Sequence, residues 1–363
     1  MSLKKIEIHH FRNIAESSLA FSENINLIVG PNASGKTSLL EAIFMLGRAR
    51  SFKAKYNRQM IAFDQKELVI SGQILNDHAL QNIGVKVDSQ DTLIRIDQAN
   101  GNKSELAYAF PVLAIHPKSY LLLDGGPQLR REFVDWGAFN HDENFLFAWR
   151  MFKRALMQRN AALKARDMRH LMVWDQEFIQ YGSVVEQFRK KYIYHLRPFF
   201  EETCQLLFDH PQFTLDYVSG WDGADLSDCL KRNLEKDLRY GFTNHGPHRA
   251  DFQLMMNHKP ANVFCSRSQL KLIVLSLLLA QAQFFNLNKS VKICLLIDDL
   301  PAEMDVFNLK RILKFINTLN TQVFMSCTHL DSAFDEMHSV THEMFHVEHG
   351  DFKCIRNDNK EYS

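Results

Sequence analysis

The segment that most constrains this chain is residues 30–37, which fit the pattern G-x-x-x-x-G-K-[ST]. A strand pattern at 24–29 precedes it, and apolar residues at helical spacing follow it up to residue 46. In this context the backbone N–H groups of the loop wrap phosphates, and the positive end of the following helix stabilises them further. A chance glycine-rich turn is the alternative, which the flanking strand and helix disfavour. We therefore predict a nucleotide-binding loop formed by Gly30, Pro31, Asn32, Ala33, Ser34, Gly35, Lys36 and Thr37.

A second segment supplies the acidic groups that such a site needs. The apolar run at residues 293–297 is typical of a buried parallel strand, and it ends in Asp298 and Asp299. We predict that Lys36 reaches the β- and γ-phosphates and that Thr37 and Asp298 hold Mg²⁺. Asp299 would orient or activate the attacking water. The alternative is an ordinary strand followed by an acidic turn.

Length and composition predict a soluble protein of two domains. The 363 residues favour two domains. A hydrophobic fraction of 46% with a charged fraction of 23% excludes a disordered or collagen-like chain. The six cysteines form no C-x-x-C pair, which favours reduced thiols over a metal site or a disulfide framework. No signal-peptide pattern opens the chain, and the apolar stretch 272–280 is shorter than the roughly 20 residues of a spanning helix. We therefore expect a cytoplasmic protein.

Strand and helix patterns divide the chain into two regions. Residues 1–125 and 205–363 alternate between strands and helices, which is typical of an α/β domain. Residues 126–204 are rich in helix formers, and we predict that they form an inserted, mainly helical lobe. Residues 68–97 show antiparallel strand patterns, and Asn100-Gly101 is a tight-turn signal.

Further motifs carry a resemblance to a known family. The sequence S-R-S-Q-L-K at 266–271 resembles the signature S-R-G-Q-x-K, and 246–251 read G-P-H-R-A-D. F-R-N at 11–13, R-A-R-S-F at 48–52 and the stretch 126–136 also match. From residue 1 to about 330 the chain is therefore similar to the RecF family, which belongs to the SMC/Rad50 group of ABC-type ATPases. Two positions depart from the pattern, because Ser268 replaces the signature glycine and A-E-M-D at 302–305 replaces S-E-L-D.

The resemblance implies an ABC-type ATPase head with a mixed sheet and an antiparallel β-subdomain. It implies that ATP joins two copies, so that the signature loop of one copy closes over the γ-phosphate held by the other. Ser268 allows close backbone approach less readily than glycine, so this closure is expected to be weaker than usual. His329, which follows the predicted strand ending at Ser326, would sense the γ-phosphate, although an ordinary surface histidine is the alternative. The further nucleotide-contacting residues that the resemblance implies are Arg12, Asn13, Ser266, Arg267, Ser268, Gln269 and His329.

Positive charge is concentrated in the helical lobe. Residues 148–197 carry eleven Lys or Arg and four Asp or Glu, a net charge of +7, whereas the whole chain carries only +1. Clustered cations are typical of proteins that bind a nucleic-acid backbone, and a solvated helix face is the alternative. The family resemblance favours DNA. The candidate DNA contacts are Arg150, Lys153, Arg154, Arg159, Lys164 and Arg166.

The resemblance also implies a role in DNA repair. An ATP-bound homodimer would clamp duplex DNA at single-strand gaps and act with RecO and RecR to promote RecA loading, with slow, DNA-dependent hydrolysis as a timer. Three alternatives remain. A transporter nucleotide-binding subunit would carry L-S-G-G-Q where this chain has C-S-R-S-Q, and a long SMC or Rad50 protein would carry extended heptads. A structural protein with an inactive ATPase is the third, given Ser268 and Ala302. Residues 331–363 receive no functional assignment.

Overall fold

The computed structural model describes residues 1–76, 79–208, 212–223, 225–288, 292–300, 304–329 and 342–355. The chain divides into two compact units. The first unit is made of Met1–Ser119 and Ala282–Ser363, and the second is Tyr120–Gln281. The second unit is therefore inserted into the sequence of the first.

Strands dominate the first unit and helices the second. The strands are β1 (Ser2–Phe11), β2 (Ile14–Ala20), β3 (Ile25–Val29), β4 (Leu68–Asn76), β5 (Ala79–Val87), β6 (Thr92–Ile96), β7 (Ala99–Asn100), β8 (Val112–Ile115), β9 (Phe213–Val218), β10 (Asp251–Met256), β11 (Lys259–Pro260), β12 (Cys294–Ile297), β13 (Val323–Cys327), β14 (His342–Glu348) and β15 (Asp351–Ile355). The helices are α1 (Lys36–Arg48), α2 (Lys103–Ala109), α3 (Leu121–Asp124), α4 (Pro127–His141), α5 (Phe145–Ala165), α6 (Met168–Leu207), α7 (Leu226–Arg232), α8 (Leu234–Tyr240), α9 (Ala261–Phe264), α10 (Arg267–Asn288) and α11 (Val306–Thr318).

Two sheets build the first unit. One is antiparallel, with the strand order β2-β1-β4-β5-β6-β7. The other has the order β15-β14-β3-β13-β12-β8, in which β14, β3, β13, β12 and β8 are parallel and β15 is antiparallel to β14. The predicted fold class, a mixed α/β head with an antiparallel β-subdomain and a helical lobe, is confirmed. The turn after β6 includes Asp97, at φ 54°, so it precedes the predicted Asn100-Gly101 turn.

The helix α1 packs between these two sheets. It contacts β1, β4 and β5 of the antiparallel sheet and β8, β12 and β13 of the parallel sheet. Eleven of its thirteen residues are consequently buried, including the polar residues Lys36, Ser38 and Glu41. A helix covered on all sides needs apolar residues around most of its circumference, which the sequence L-L-E-A-I-F-M-L supplies. The position of the residues at its N-terminus is therefore fixed by both sheets.

The second unit combines α3–α9 and most of α10 with the three-stranded antiparallel sheet β11-β10-β9. Buried polar contacts tie its helices to the segment G-P-H-R-A-D at 246–251. Arg189 of α6 donates to a carboxylate oxygen of Asp135 at 2.7 Å and to the carbonyl of Pro247 at 2.6 Å. Arg130 of α4 makes two hydrogen bonds to Asp251, at 2.7 and 2.9 Å. This motif therefore has a structural role in joining the helices to the sheet.

The observed unit boundaries differ from the predicted ones. The sequence placed 205–281 with the ATPase domain, whereas contacts group these residues with the helices of Tyr120–Gln281. The physical reason is that β9 packs on the long helix α6 and pairs with β10. A strand-rich segment thus belongs to the predominantly helical unit, because its apolar face is covered there.

One described helix, Arg267–Leu287, is long and apolar enough to cross a membrane by length and composition. Of its most apolar window, 72% is buried inside the protein, which is typical of a core helix. Leu275, Leu277 and Leu279 of this helix are each nearly or fully buried. The six cysteines are free thiols.

Candidate functional site

The glycine-rich loop connects the buried strand β3 to the buried helix α1, as its sequence predicts. Gly35 precedes the helix at φ +121° and has no side chain that could cap it, so this residue leaves the first amides of α1 to other acceptors. The Lys36 ammonium donates hydrogen bonds to the carbonyls of Gly30 and Pro31 at 2.7 and 2.8 Å. Burial lowers the pKa of Lys36, and the neighbouring Asp299 carboxylate opposes that shift. The arrangement fits an anion because amides and an ammonium group converge on one loop.

The carboxyl ends of three parallel strands bring the predicted acidic residues to this loop. The Thr37 hydroxyl donates to the two carboxylate oxygens of Asp298 at 2.8 and 3.1 Å. Ser326 of β13 also donates to Asp298, at 2.9 Å, and its hydroxyl accepts the backbone N–H of Asp299 at 3.0 Å. Asp299 has φ +55°, a left-handed conformation that few non-glycine residues adopt. A hydroxyl beside a carboxylate is a donor set that suits Mg²⁺.

Arg12 and Asn13 also lie at the loop. Arg12 forms an ion pair with the buried carboxylate of Glu41 on α1, with one hydrogen bond of 2.8 Å. The side chain of Asn13 donates to the carbonyl of Ser34 at 3.3 Å and accepts from the Ser38 hydroxyl at 2.7 Å. These contacts place both residues beside the phosphate-binding loop, and a direct contact of either with a nucleotide remains a prediction.

Two further residues at this site were missed in the sequence analysis. The Lys53 ammonium lies 4.0 Å from a carboxylate oxygen of Asp298. His116 follows β8 directly, and its ring stacks on Phe52 with a centroid distance of 5.1 Å. Burial lowers the pKa of His116 to about 4, so the imidazole is neutral at pH 7. The strand order could have predicted the position of His116. This residue follows β8, which is the parallel neighbour of β12, the strand that ends before Asp298.

The hairpin formed by β14 and β15 supports the loop from behind, which no motif predicted. The backbone N–H of Gly350, in the hairpin turn, donates to the Ser34 carbonyl at 2.7 Å. Gly350 has φ +88°, and a Cβ atom there would lie 2.3 Å from the Asn13 carbonyl oxygen. A Cβ atom on Gly30 would likewise lie 2.3 Å from the carbonyl oxygen of Val347 in β14. The described part of the unassigned segment 331–363 thus completes the wall of the nucleotide loop.

The signature residues lie in the second unit, at the beginning of α10. The Ser266 hydroxyl accepts the N–H of Gln269 at 3.3 Å, and the Gln269 side chain accepts the N–H of Ser266 at 2.9 Å. This reciprocal cap orders the start of the helix. Arg267 and Ser268 are exposed there.

His329 follows β13, is exposed and contacts the Thr328 hydroxyl at 2.9 Å. Of the predicted segment 302–305, Ala302 and Glu303 lie outside the described residues, and the Asp305 side chain caps α11.

Five of the six DNA candidates are exposed on or just after α5: Arg150, Lys153, Arg154, Lys164 and Arg166. Two of these cations lie over indole rings, Lys153 at 5.3 Å from the Trp149 centroid and Arg154 at 5.7 Å from that of Trp174. Lys153 and Arg154 thus lie beside aromatic rings.

Arg159 is a wrong prediction as a DNA contact. Its side chain is fully buried and hydrogen-bonds to Asp175 at 2.7 Å, Asp237 at 2.8 Å and the Thr243 hydroxyl at 2.7 Å. The Asp237 carboxylate that it neutralises is also fully buried. Arg159 therefore joins α5, α6 and α8 and is not available to a phosphate.

The fold and the loop geometry define a P-loop ATPase head of the SMC type. The family model described as the RecF/RecN/SMC N terminal domain matches residues 2–353. The chain is 37% identical over 359 residues to the DNA replication and repair protein RecF of Proteus mirabilis (strain HI4320), covering 96% of this chain and 98% of that protein. It is 35% identical to RecF of Pasteurella multocida (strain Pm70), covering 98% and 99%. The chain belongs to the RecF family of DNA replication and repair proteins.

Solved structures show the same fold. A structure of the recombination mediator protein RecF with ATP, from the RecFOR pathway, is 24% identical and superimposes with a TM-score of 0.87 over 98% of both chains. An SMC head bound to the C-winged helix domain of ScpA is 15% identical and gives a TM-score of 0.58, covering 98% of this chain and 97% of the other. The RecF fold therefore accounts for both units of this chain.

The contact between Gly350 and the Ser34 carbonyl predicts that Gly350→Ala loosens the nucleotide loop. Left-handed backbone costs a non-glycine residue about 1–2 kcal/mol, and the new methyl group would meet the Asn13 carbonyl. We expect faster amide hydrogen exchange in residues 30–37 and a lower thermal midpoint. Gly223→Ala is the matched control, because Gly223 has φ +91° but faces only the flexible end of Arg232. If Gly350→Ala and Gly223→Ala showed equal amide exchange in residues 30–37, the claim that the hairpin supports this loop would be contradicted.

The buried position of Arg159 predicts that Arg159→Met destabilises the protein, because two carboxylates lose their partner. Breaking a buried ion pair costs about 3–5 kcal/mol, which urea unfolding of the variant measures. Arg154→Met, an exposed neighbour on the same helix, is expected to change the free energy of unfolding by less than about 0.5 kcal/mol. Similar stability of the two variants would show that Arg159 is not part of a buried network.

Proposed function

We propose that the chain binds ATP with Mg²⁺ at the loop of residues 30–37. The observation that carries this proposal is the contact of Thr37 with Asp298 beside the Lys36 ammonium. Lys36 would exchange its two carbonyl contacts for the phosphates, since a charged acceptor makes the stronger hydrogen bond. Thr37 and Asp298 would hold Mg²⁺, which neutralises charge on the phosphates.

The same site supports slow hydrolysis. Asp299 would orient the attacking water, with its backbone held by the Ser326 hydroxyl. An aspartate has a shorter side chain than glutamate, which is consistent with slow turnover. We propose that the ATP-bound form of the protein is the active form, and that slow hydrolysis converts it to the inactive form.

We propose that ATP joins two copies of the chain. The exposed Ser266, Arg267, Ser268 and Gln269 of one copy would approach the γ-phosphate held by the other. Support comes from the exposure of these residues at the N-terminal end of α10, because the positive end of a helix dipole favours an anion. His329, Arg12 and Asn13 would contact the nucleotide from the copy that holds it. Ser268 makes close approach harder than glycine would, so we expect modest ATP affinity in the dimer.

The exposed cations of α5 support binding to duplex DNA. Their contacts with phosphates would be largely independent of sequence and sensitive to salt. We propose that the ATP-bound dimer recognises duplex DNA at single-strand gaps. There it would act with RecO and RecR to promote RecA loading. The similar solved structure is described as a recombination mediator protein of the RecFOR pathway, which supports a role in that pathway.

The role of Lys36 is tested by Lys36→Met, because methionine is an unbranched side chain of similar size that removes the charge. We expect loss of ATP-dependent dimerisation in light scattering and loss of ATP-stimulated binding to duplex DNA. Lys310→Met on α11 is the control and should behave as the wild type. Dimerisation and DNA binding of Lys36→Met at wild-type levels with ATP would contradict the mechanism.

The role of α5 is tested by the triple variant Arg150→Gln, Lys153→Gln and Arg154→Gln. Each lost phosphate contact lowers the slope of log K against log salt by about 0.9, so the triple variant should lower it by up to about 2.7. Fluorescence anisotropy with labelled blunt duplex at several salt concentrations measures this slope. The control, Lys231→Gln, Arg232→Gln and Lys236→Gln, removes the same charge around α7 and α8, and an equal effect there would contradict a specific role of α5.

A further inference from the structure

Glu41 is a carboxylate in the middle of α1, inside the core of the first unit. Its side chain is fully buried, as are those of its sequence neighbours Leu40 and Ala42. Taking a carboxylate out of water costs free energy that its partners only partly return, and well-packed apolar residues in place of a buried ion pair are often as stable. Core packing alone therefore does not account for a charged residue at this position.

The first partner of Glu41 is Arg12, which lies beside the phosphate-binding loop. The Nε and Nη2 atoms of Arg12 both donate to the Glu41 carboxylate, Nη2 at 2.8 Å. These two atoms lie on one edge of the planar guanidinium, so the pairing fixes its plane and turns Nη1 away from Glu41. The Arg12 side chain is 29% exposed, and its backbone, at φ 52°, donates an N–H to the Met60 carbonyl at 2.8 Å. Glu41 thus holds a partly exposed cation in one orientation beside the loop.

The second partner of Glu41 is the Ser51 hydroxyl, which donates to the same carboxylate. That hydroxyl also accepts the backbone N–H groups of Lys53 and Ala54 at 2.8 and 2.6 Å. A serine side chain that accepts amides two and three residues further on fixes a local turn. The ammonium of Lys53 in this turn lies 4.0 Å from a carboxylate oxygen of Asp298. Glu41 is therefore connected through Ser51 to a second cation at the nucleotide site.

We propose that Glu41 is a positioning residue that holds Arg12 and Lys53 for contact with the phosphates of the nucleotide. This role rests on the proposed binding of ATP at residues 30–37 and adds to it a residue that does not touch the nucleotide. A hydrogen bond from a cation to phosphate depends on its direction. A cation that is already held in one orientation loses less side-chain entropy when the phosphate binds.

Positioning and simple electrostatics predict opposite changes in ATP affinity when the charge of Glu41 is removed. Like charges repel, so the loss of a negative charge near bound phosphates would by itself strengthen ATP binding. The loss of positioning would weaken ATP binding, because Arg12 and Lys53 would no longer be held in one orientation. Glu41→Gln separates the two effects, since glutamine keeps the shape of the side chain and removes its charge.

The experiment uses the full chain with ATP and Mg²⁺, and isothermal titration calorimetry measures the dissociation constant of ATP. We expect Glu41→Gln to weaken ATP binding about ten-fold or more, which corresponds to one hydrogen bond to a charged group. In an Arg12→Gln background the same change should weaken binding less than about three-fold, because residues that act together have non-additive effects. Ser51→Ala should also weaken ATP binding, by about three-fold or more. Ser51→Thr, which keeps the hydroxyl, should bind ATP as the wild type does.

The matched control is Glu186→Gln in the second unit. Glu186 is 4% exposed and likewise accepts hydrogen bonds from hydroxyl groups, those of Tyr217 at 2.7 Å and Ser219. This variant should bind ATP within about two-fold of the wild type, because independent sites do not couple.

Unchanged or tighter ATP binding by Glu41→Gln would overturn the positioning role. An equal effect of Glu41→Gln in the wild-type and Arg12→Gln backgrounds would also overturn it, since general damage to the fold does not depend on Arg12. If circular dichroism showed that Glu41→Gln does not fold, the Ser51 variants would decide, and equal ATP binding by Ser51→Ala and Ser51→Thr would overturn the role. A wild type that bound no ATP would refute the proposed function itself, whereas ATP binding by the wild type with an unaffected Glu41→Gln would refute this inference alone.

Discussion

The burial of α1 on all sides is the constraint on which the first unit depends. A helix with apolar residues around most of its surface is stable in water only when other elements cover each face. The antiparallel sheet covers one face and the parallel sheet another, so neither sheet suffices alone. The N-terminus of α1 is then fixed beside the carboxyl ends of β3, β12 and β13, where Asp298 and Ser326 lie. The geometry of the nucleotide site is therefore a direct consequence of how the core is packed.

Local patterns predicted that the loop of residues 30–37 and Asp298 lie together, because each of these two segments is short and continuous in sequence. The loop of residues 30–37 needs a strand before it and a helix after it, and both are visible as hydrophobic periodicity. The run 293–297 predicts a buried strand, and a parallel strand must end at the same edge of the sheet as β3. The meeting of Thr37 with Asp298 follows from these two facts.

The remaining features depend on contacts between residues that are distant in sequence. Arg159 is a cation on α5, as its exposed neighbours are, so its residue type does not distinguish it from them. Only the positions of Asp237 and Thr243 show that it is buried. Residues 213–256 have the strand patterns of an α/β domain, yet β9 is covered by α6, which moves this segment into the other unit. The hairpin of β14 and β15 carries no motif, because its contribution to the loop comes through the backbone of Val347 and Gly350. Backbone contacts of this kind leave no side-chain pattern to read.

The hairpin formed by β14 and β15 determines when, during synthesis, the loop of residues 30–37 gains its backbone support. Residues 30–37 leave the ribosome early, whereas Gly350, which holds the Ser34 carbonyl, is translated more than 300 positions later. The strand β14 also forms the parallel neighbour of β3, so a nascent chain lacks one wall of its loop until this hairpin emerges. A ribosome that stops within the second unit would release a chain whose loop has no such wall. The backbone support of the loop of residues 30–37 is therefore complete only after residue 350 has been synthesised, long after the loop itself.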